Sequence, residues 1–321
     1  MRILFWGTPE FATPSLLALL GEGFDVVGVI TQPDKPQGRS RSQLVPSPVK
    51  QIAIAEKIPV LQPARASNPE LLAEIRALQP DASVVVAYGH ILTAAVIAVP
   101  PRGTFNVHAS LLPALRGAAP IQAAIRQGLS ETGISVMRVV PALDAGPVIL
   151  RIATPIASEE TYGELAARLS ELGAQALIEA LALVELGAAR ESPQDDARAT
   201  YAPKLERGAI AVDWTQAADD VARLIRSVDP KPGSATAGPS GPVKLFGAQV
   251  LAAADLAGEE PSGDRQAAPG IVLGIGAAGM SVACGTGAVR VAQVQPAGRP
   301  LMSAADWARG RGIAAGQRLG V

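Results

Sequence analysis

Short apolar runs alternate with helically spaced segments through the first half of the chain. Residues 3–6, 26–30, 84–87 and 104–107 are rich in β-branched and apolar side chains and read as strands. Between them, residues 14–20, 49–56, 70–78 and 94–99 carry apolar positions at helical spacing. This alternation predicts βαβ units around a mostly parallel, covered sheet, which strands at 135–139 and 148–152 would extend. An Ala/Leu-rich stretch over 164–186 predicts one long helix, with Thr161 as N-cap and Gly187 as stop.

The pattern changes past residue 187. Residues 188–204 are polar and irregular, with Pro193 and Pro203 as breakers, so a catalytic domain is expected over 1–189, a linker over 190–204 and a second domain over 205–321. In the second domain a single helix is expected over 214–228, ended by Asp229-Pro230. Short apolar runs split by glycine follow at 243–246, 270–273, 280–283 and 288–294, and they suggest a small β-barrel. A length of 321 residues agrees with two domains, since one core rarely serves more than about 200.

Composition narrows the class. No apolar run reaches the roughly 18 residues of a membrane span, and the N-terminus reads as a first strand rather than a signal peptide, so no membrane association is expected. Cys284 is the single cysteine; with no disulfide partner and no zinc set, it points to a reducing compartment, the cytoplasm. Residues 204–321 carry 12 Lys/Arg against 10 Asp/Glu, net +2, and the remainder 16 against 19, net −3. That asymmetry permits a nucleic-acid partner without demanding one.

Candidate chemistry is densest between Phe105 and Ile125. Strand alternation puts Asn106 and His108 on one face at the end of a strand, where open α/β sheets bind ligands. An amide can donate to an oxyanion and an imidazole can exchange a proton. Asp144, in a loop punctuated by Pro141, Gly146 and Pro147, can add a carboxylate. The three together suit proton management around a tetrahedral centre and do not suggest a metal site. Ser110 lacks the surroundings of a nucleophile elbow. Gly7-Thr8-Pro9 follows a strand, but no G-x-G-x-x-G accompanies it, so a dinucleotide site is rejected.

These residues resemble the folate-dependent formyltransferases. The resemblance is carried by Asn106-Val107-His108, by Ser110, Leu111, Leu112 and Pro113, by Arg116-Gly117 and by Leu143-Asp144-Ala145-Gly146. Gly7-Thr8-Pro9-Glu10, Thr31-Gln32-Pro33-Asp34-Lys35-Pro36, Pro46-Ser47-Pro48, Tyr201-Ala202-Pro203-Lys204-Leu205 and Gln295-Pro296-Ala297-Gly298-Arg299 extend it over nearly the whole chain, and make it similar to the members that act on methionyl-tRNA. The resemblance implies an α/β fold: a Rossmann-like, mostly parallel sheet domain and a smaller, OB-like β-barrel domain that binds tRNA. It implies Asn106, His108 and Asp144 as catalytic residues, and Ser110, Leu111, Leu112, Pro113, Val86, Tyr88 and Gly89 as the folate-binding set. It further implies Lys35, Arg39 and Arg41 as tRNA-binding residues, 10-formyltetrahydrofolate as co-substrate with no metal, initiator Met-tRNA as acceptor, and a monomer. The sequence departs from the family at Lys231, where an aromatic is usual, and at His90.

Plainer readings compete at each position. Asp144 could merely fix its turn, Lys35, Arg39 and Arg41 could be solvated charges, His90 a pocket wall or surface residue, and Cys284 a packed core thiol. Another folate enzyme would take a different amine, such as glycinamide ribonucleotide or an amino sugar, or would hydrolyse formyl-folate. A non-catalytic RNA-binding module is the other class. With only Trp214, Phe246 and Trp307 available after residue 204, single-strand stacking is a poor fit, and contact with phosphates of a structured RNA is a better one.

Overall fold

Nine strands occupy the first half of the chain in the computed structural model, which describes residues 1–37, 43–252 and 267–320. They are β1 (Arg2–Gly7), β2 (Asp25–Ile30), β3 (Lys35–Gln37), β4 (Gln43–Val45), β5 (Val60–Leu61), β6 (Ala82–Val86), β7 (Thr104–His108), β8 (Glu131–Arg138) and β9 (Val148–Pro155). Seven form one sheet in the order β5-β2-β1-β6-β7-β8-β9, while β3 and β4 make a separate hairpin. Pairing is parallel from β5 to β7 and antiparallel from β7 to β9, which gives the mostly parallel sheet expected. Ile3, Leu4, Phe5 and Trp6 of β1 are all fully buried, as a central strand covered on both faces must be.

Helices α1 (Thr13–Gly21), α2 (Pro48–Ala55), α3 (Pro69–Leu78) and α4 (Ala94–Ile97) connect these strands. Their starts follow from local chemistry: Ser47, Asn68 and Thr93 each accept a backbone N–H of the first turn, and Pro48 and Pro69 stand where no N–H is needed. Helix α4 stops at Ile97, short of the expected Val99. Helix α5 (Pro120–Arg126) lies outside the segments that the apolar spacing predicts, whereas α6 (Tyr162–Glu185) matches the long helix expected. Thr161 and Glu164 form a reciprocal capping box at its start, and Gly187 takes φ +66 just past its end.

Contacts divide the chain into two compact units. The first holds Met1–Pro120, Glu131–Pro155 and Ala166–Pro203; the second holds Lys204–Val321 with Ile121–Ser130 and Ile156–Leu165. The second unit contains an antiparallel sheet, β10 (Ser234–Gly238), β11 (Gly241–Val250), β12 (Val272–Gly276), β13 (Gly279–Ala283), β14 (Ala288–Pro296) and β15 (Met302–Ser303), in the order β10-β11-β14-β13-β12 with β15 on β14. Helices α7 (Ala218–Arg226) and α8 (Ala304–Arg309) pack on it around one apolar core. The helix expected from Trp214 begins only at Ala218, because Asp213 accepts the Thr215 N–H at 3.0 Å and holds a turn there. Trp214 instead enters the core, its Nε1 donating to Thr236 Oγ1 at 2.9 Å. Among the described residues no helix is long and apolar enough to cross a membrane.

Candidate active site

Strand β7 delivers the first two functional groups. Asn106 and His108 lie on the same face, two residues apart, and His108 closes the strand. His108 is buried, with Nε2 3.0 Å from the Leu115 carbonyl oxygen. A carbonyl can only accept, so Nε2 carries a proton in every state of the ring and Nδ1 is the nitrogen left to exchange one. The half-buried Asn106 amide makes no hydrogen bond among the described residues, so its N–H groups are available to an incoming oxygen.

Asp144 reaches this place from the loop joining β8 and β9. Its Oδ2 lies 3.7 Å from His108 Nδ1, too long for a hydrogen bond and short enough for a charge contact once the ring is protonated. The same oxygen accepts the Gly117 backbone N–H at 2.8 Å. Asp144 itself sits at φ +47, a left-handed conformation that an Asp tolerates better than most residues. Gly146, two residues on, has no room for a side chain, since a Cβ would run into the Arg138 carbonyl. Three sequence-predicted residues are thus brought to one place: Asn106 and His108 on the strand, and Asp144 against the imidazole.

The segment expected as a linker takes part in this site. Residues 190–203 lie in the first unit, and their side chains and backbone bond the loops that carry Leu115, Arg116, Asp144 and Gly146. Arg116 N donates to the Thr200 carbonyl at 2.8 Å and Ala202 N to the Arg116 carbonyl at 2.7 Å, a parallel bridge alongside Arg116 and Tyr201. Thr200 Oγ1 accepts the Leu115 N–H at 2.9 Å, which fixes the residue whose carbonyl faces His108. Gln194 Nε2 donates to the carbonyls of Asp144 at 2.8 Å and Gly146 at 2.7 Å. None of these bonds has a sequence signature, because polar residues bonding distant backbone carry no periodicity.

The loop after β7 is a shaped turn. Ser110 Oγ donates to the Ala114 carbonyl at 2.6 Å, which makes Ser110 a turn-former rather than a nucleophile. Ser135 Oγ ties this loop to β8, donating to the Ser110 carbonyl at 2.7 Å and accepting the Leu112 N–H at 3.0 Å. Leu112 is buried against Met137 and Val148, leaving the half-buried Leu111 and Pro113 as the parts of this loop that a ligand could touch.

At the carboxyl ends of β1, β2 and β6, Thr8, Gln32 and Tyr88 form a second polar node. Gln32 Nε2 donates to the Tyr88 carbonyl at 2.9 Å, and Thr8 Oγ1 accepts the Gln32 N–H at 3.2 Å. The side chains of Val86 and Tyr88 turn into the core, where Tyr88 packs edge-on to Trp6 at 5.2 Å. Burial pushes the Tyr88 phenol up to about 12, and its Oη has no hydrogen-bond partner among the described residues. Ala87 and Gly89, both at positive φ, are the exposed parts of this turn. His90 is exposed and stands edge-on to Tyr88 at 5.5 Å.

Lys35 is exposed on β3, whereas Arg39 and Arg41 lie outside the described residues. The base of this hairpin is braced: Lys50 Nζ donates to Asp34 Oδ2 at 2.6 Å and to Gln62 Oε1 at 2.7 Å, and Gln62 Nε2 donates to Asp34 Oδ1 at 2.8 Å. Those bonds, from Lys50 first and Gln62 second, hold the Asp34 carboxyl below the usual range. In the second unit Trp214, Phe246 and Trp307 are all buried, and Cys284 is a buried core thiol. Lys231 is exposed. Among the described residues no group of three or more His, Cys, Asp or Glu is placed to hold a metal ion.

Known proteins align with this arrangement over both halves. Residues 1–181 match the formyl transferase family, and residues 204–312 match the formyl transferase C-terminal domain. A methionyl-tRNA formyltransferase of Symbiobacterium thermophilum is 44% identical over 320 residues, covering 99% of this chain and 95% of its own. One from Xanthomonas campestris is 47% identical over 312 residues, covering 97% of this chain and 98% of its own. Among solved structures, HypX from Aquifex aeolicus in complex with tetrahydrofolic acid matches with a TM-score of 0.65 at 20% identity; the match covers 95% of this chain and 46% of the HypX chain, so this chain spans about half of HypX. The N-formyltransferase from Helicobacter canadensis, in complex with folinic acid and dTDP-3-aminofucose, matches with a TM-score of 0.65 at 14% identity over 92% of this chain and 100% of its own. At such identities these two structures speak for the fold, while the relatives above 40% speak for the family. The chain therefore belongs to the formyl transferase family, alongside these methionyl-tRNA formyltransferases.

Proposed function

We propose that this chain transfers the formyl group of 10-formyltetrahydrofolate to the α-amino group of methionine esterified to initiator tRNA, the step that prepares the initiator for translation. The observation that carries the reading is the grouping of Asn106, His108 and Asp144, with an unpaired amide and a free imidazole nitrogen on one strand face.

Bound 10-formyltetrahydrofolate supplies an acyl carbon on a nitrogen leaving group, and the donor set suits it: the Asn106 amide can meet a carbonyl oxygen that becomes anionic on attack. His108 Nδ1, when protonated, adds a second donor to that oxygen, and Asp144 balances the ring's charge at 3.7 Å. When the tetrahedral centre collapses, the attacking amine has one proton to lose and the leaving nitrogen one to gain. His108 Nδ1 and the Asp144 carboxylate are the groups within reach to carry it. The N-formylated amine and tetrahydrofolate result, with no covalent bond to the protein.

The folate would lie along Ser110, Leu111, Leu112 and Pro113 on one side and the turn of Val86, Tyr88 and Gly89 on the other, the latter offering backbone rather than side chains. Lys35, Arg39 and Arg41 would meet phosphates of the tRNA acceptor end, with the second unit as a further tRNA contact. In chain order we set the catalytic domain at 1–189, the linker at 190–204, which packs with the first unit as far as Pro203, and the tRNA-binding domain at 205–321. The same reading has the protein act as a monomer in the cytoplasm.

One assay tests the assignment. The protein is incubated with formyl-labelled 10-formyltetrahydrofolate and, in separate arms, Met-tRNA, glycinamide ribonucleotide, an amino-sugar nucleotide, or no amine. Label is expected on Met-tRNA. Label on another amine, or as free formate in every arm, would overturn the proposed acceptor.

A further inference from the structure

We infer that Gln194 is a positioning residue for formyl transfer: it holds the Asp144 loop so that the carboxylate stays against His108. The inference rests on the reading of His108 and Asp144 given above. Every hydrogen-bonding position of the Gln194 amide is in use. Its nitrogen has two N–H groups, and they go to the carbonyls of Asp144 and Gly146 at 2.8 and 2.7 Å. Its oxygen has two lone pairs, and they accept Arg116 Nε at 3.2 Å and Nη2 at 2.9 Å. The amide cannot be reversed, since that would set its oxygen against two carbonyls and its N–H groups against a guanidinium.

Arg116 anchors this bracket. Its guanidinium is buried and also binds Asp196 at 2.7 Å, two residues along the same strap as Gln194. Arg116 directly precedes Gly117, whose N–H holds Asp144 Oδ2. Asp144 is therefore gripped twice, by Gly117 at its carboxylate and by Gln194 at its backbone. The second grip is needed because Asp144 sits at φ +47, a conformation its neighbours must maintain. A chain segment that reads as an interdomain connection thus completes the catalytic geometry.

The test uses the full chain. Gln194→Met removes the bonds to Arg116, Asp144 and Gly146, together with a long 3.9 Å contact of Nε2 with Met137 Sδ, at nearly constant volume. Gln194→Glu keeps an acceptor for Arg116 and places an acceptor against the two carbonyls. Both variants are expected to keep the KM for Met-tRNA within a few-fold and to lose about 10²-fold in kcat, the effect of a reacting group displaced by roughly 1 Å. A thermal melt checks that each is folded at the assay temperature.

A double-mutant cycle in single-turnover assays with Asp144→Asn then isolates the route. If Gln194 acts through Asp144, Gln194→Met adds little to the loss already caused by Asp144→Asn. Fully multiplicative losses would overturn the positioning role, and so would folded Gln194 variants with near-normal kcat. Should Asp144→Asn itself turn over normally, the reading of the site fails first, and Gln194 loses the group it is held to position. A raised KM with kcat unchanged would make Gln194 a binding or merely structural residue.

Discussion

The Gly117 N–H donates to Asp144 Oδ2 at 2.8 Å, while a Cβ on Gly117 would lie 2.6 Å from the Ala202 carbonyl oxygen. Gly117 also holds φ +121, a conformation open essentially to glycine. Three demands meet at one residue: a donor for the Asp144 carboxylate, space for the strap, and a backbone bend. Gly117→Ala is expected to cost at least about 1–3 kcal/mol in stability from the backbone alone, and to lower kcat in the molecules that still fold. Urea unfolding and single-turnover rates check the two effects separately. A variant of unchanged stability and rate would show that the strap yields freely at Ala202.

Asp144→Asn asks whether charge or shape matters at that carboxylate. An asparagine can still accept the Gly117 N–H through its side-chain oxygen, so the loop should keep its course. A neutral amide cannot balance a charged imidazole or receive a proton, and general acid–base contributions are typically about 10²–10⁴ in rate. A loss of that size with an unchanged melting temperature is expected. A folded variant with near-normal turnover would reduce Asp144 to a turn-former.

What can be read from the sequence is what repeats along the chain. The i, i+2 relation of Asn106 and His108 is strand periodicity, and the structure places both on β7 as that period requires. Asp144 is legible only through its turn residues and the family resemblance, because no local rule says that a loop after β8 reaches His108. Gln194 is not legible, since its partner Arg116 lies 78 residues away and its surroundings look like a connector. Tyr88 shows the reverse limit. The resemblance assigns it to the folate-binding set, but its ring faces Trp6 in the core, a choice made by packing rather than by local pattern. Strand β10 is hidden for a similar reason: Ser234–Gly238 is built of small residues whose alternation carries little hydrophobic signal.

Cys284 offers a titration with a definite sign. Burial pushes its thiol up to about 12, above the roughly 8.5 of an unfolded cysteine. The folded state therefore keeps its proton when the unfolded state has lost it. The stabilisation this represents is intact below the unfolded value and is lost as pH rises from there through the folded one. Cys284→Ala should make stability fall less steeply between about pH 8 and 10 than in the parent, read as the difference between two sets of urea midpoints. In the native protein the thiol should also resist alkylation at about pH 8 and react on unfolding. Rapid modification without unfolding would contradict its burial.

The proposed tRNA contact rests chiefly on charge. Lys35 is exposed on a hairpin whose base is braced by Lys50, Asp34 and Gln62, and Arg39 and Arg41 fall between the two strands of that hairpin in sequence. A braced base with an exposed Lys35, and Arg39 and Arg41 following it in sequence, suits a grip on phosphate, and each neutralised phosphate releases a counterion on binding. Association with Met-tRNA should therefore weaken as salt rises. Replacing Arg39 and Arg41 by alanine should reduce the salt slope by about one unit for each phosphate that is no longer neutralised. It should also raise the KM for Met-tRNA while leaving folate affinity unchanged, because neither arginine belongs to the loops proposed to hold the folate. In the second unit Trp214, Phe246 and Trp307 are all committed to the core, so its own contact with RNA should show the same salt dependence rather than base stacking. If the double variant instead bound Met-tRNA with an unaltered salt slope and lost folate, the hairpin would belong to the folate site. The acceptor would then have to be sought among smaller amines.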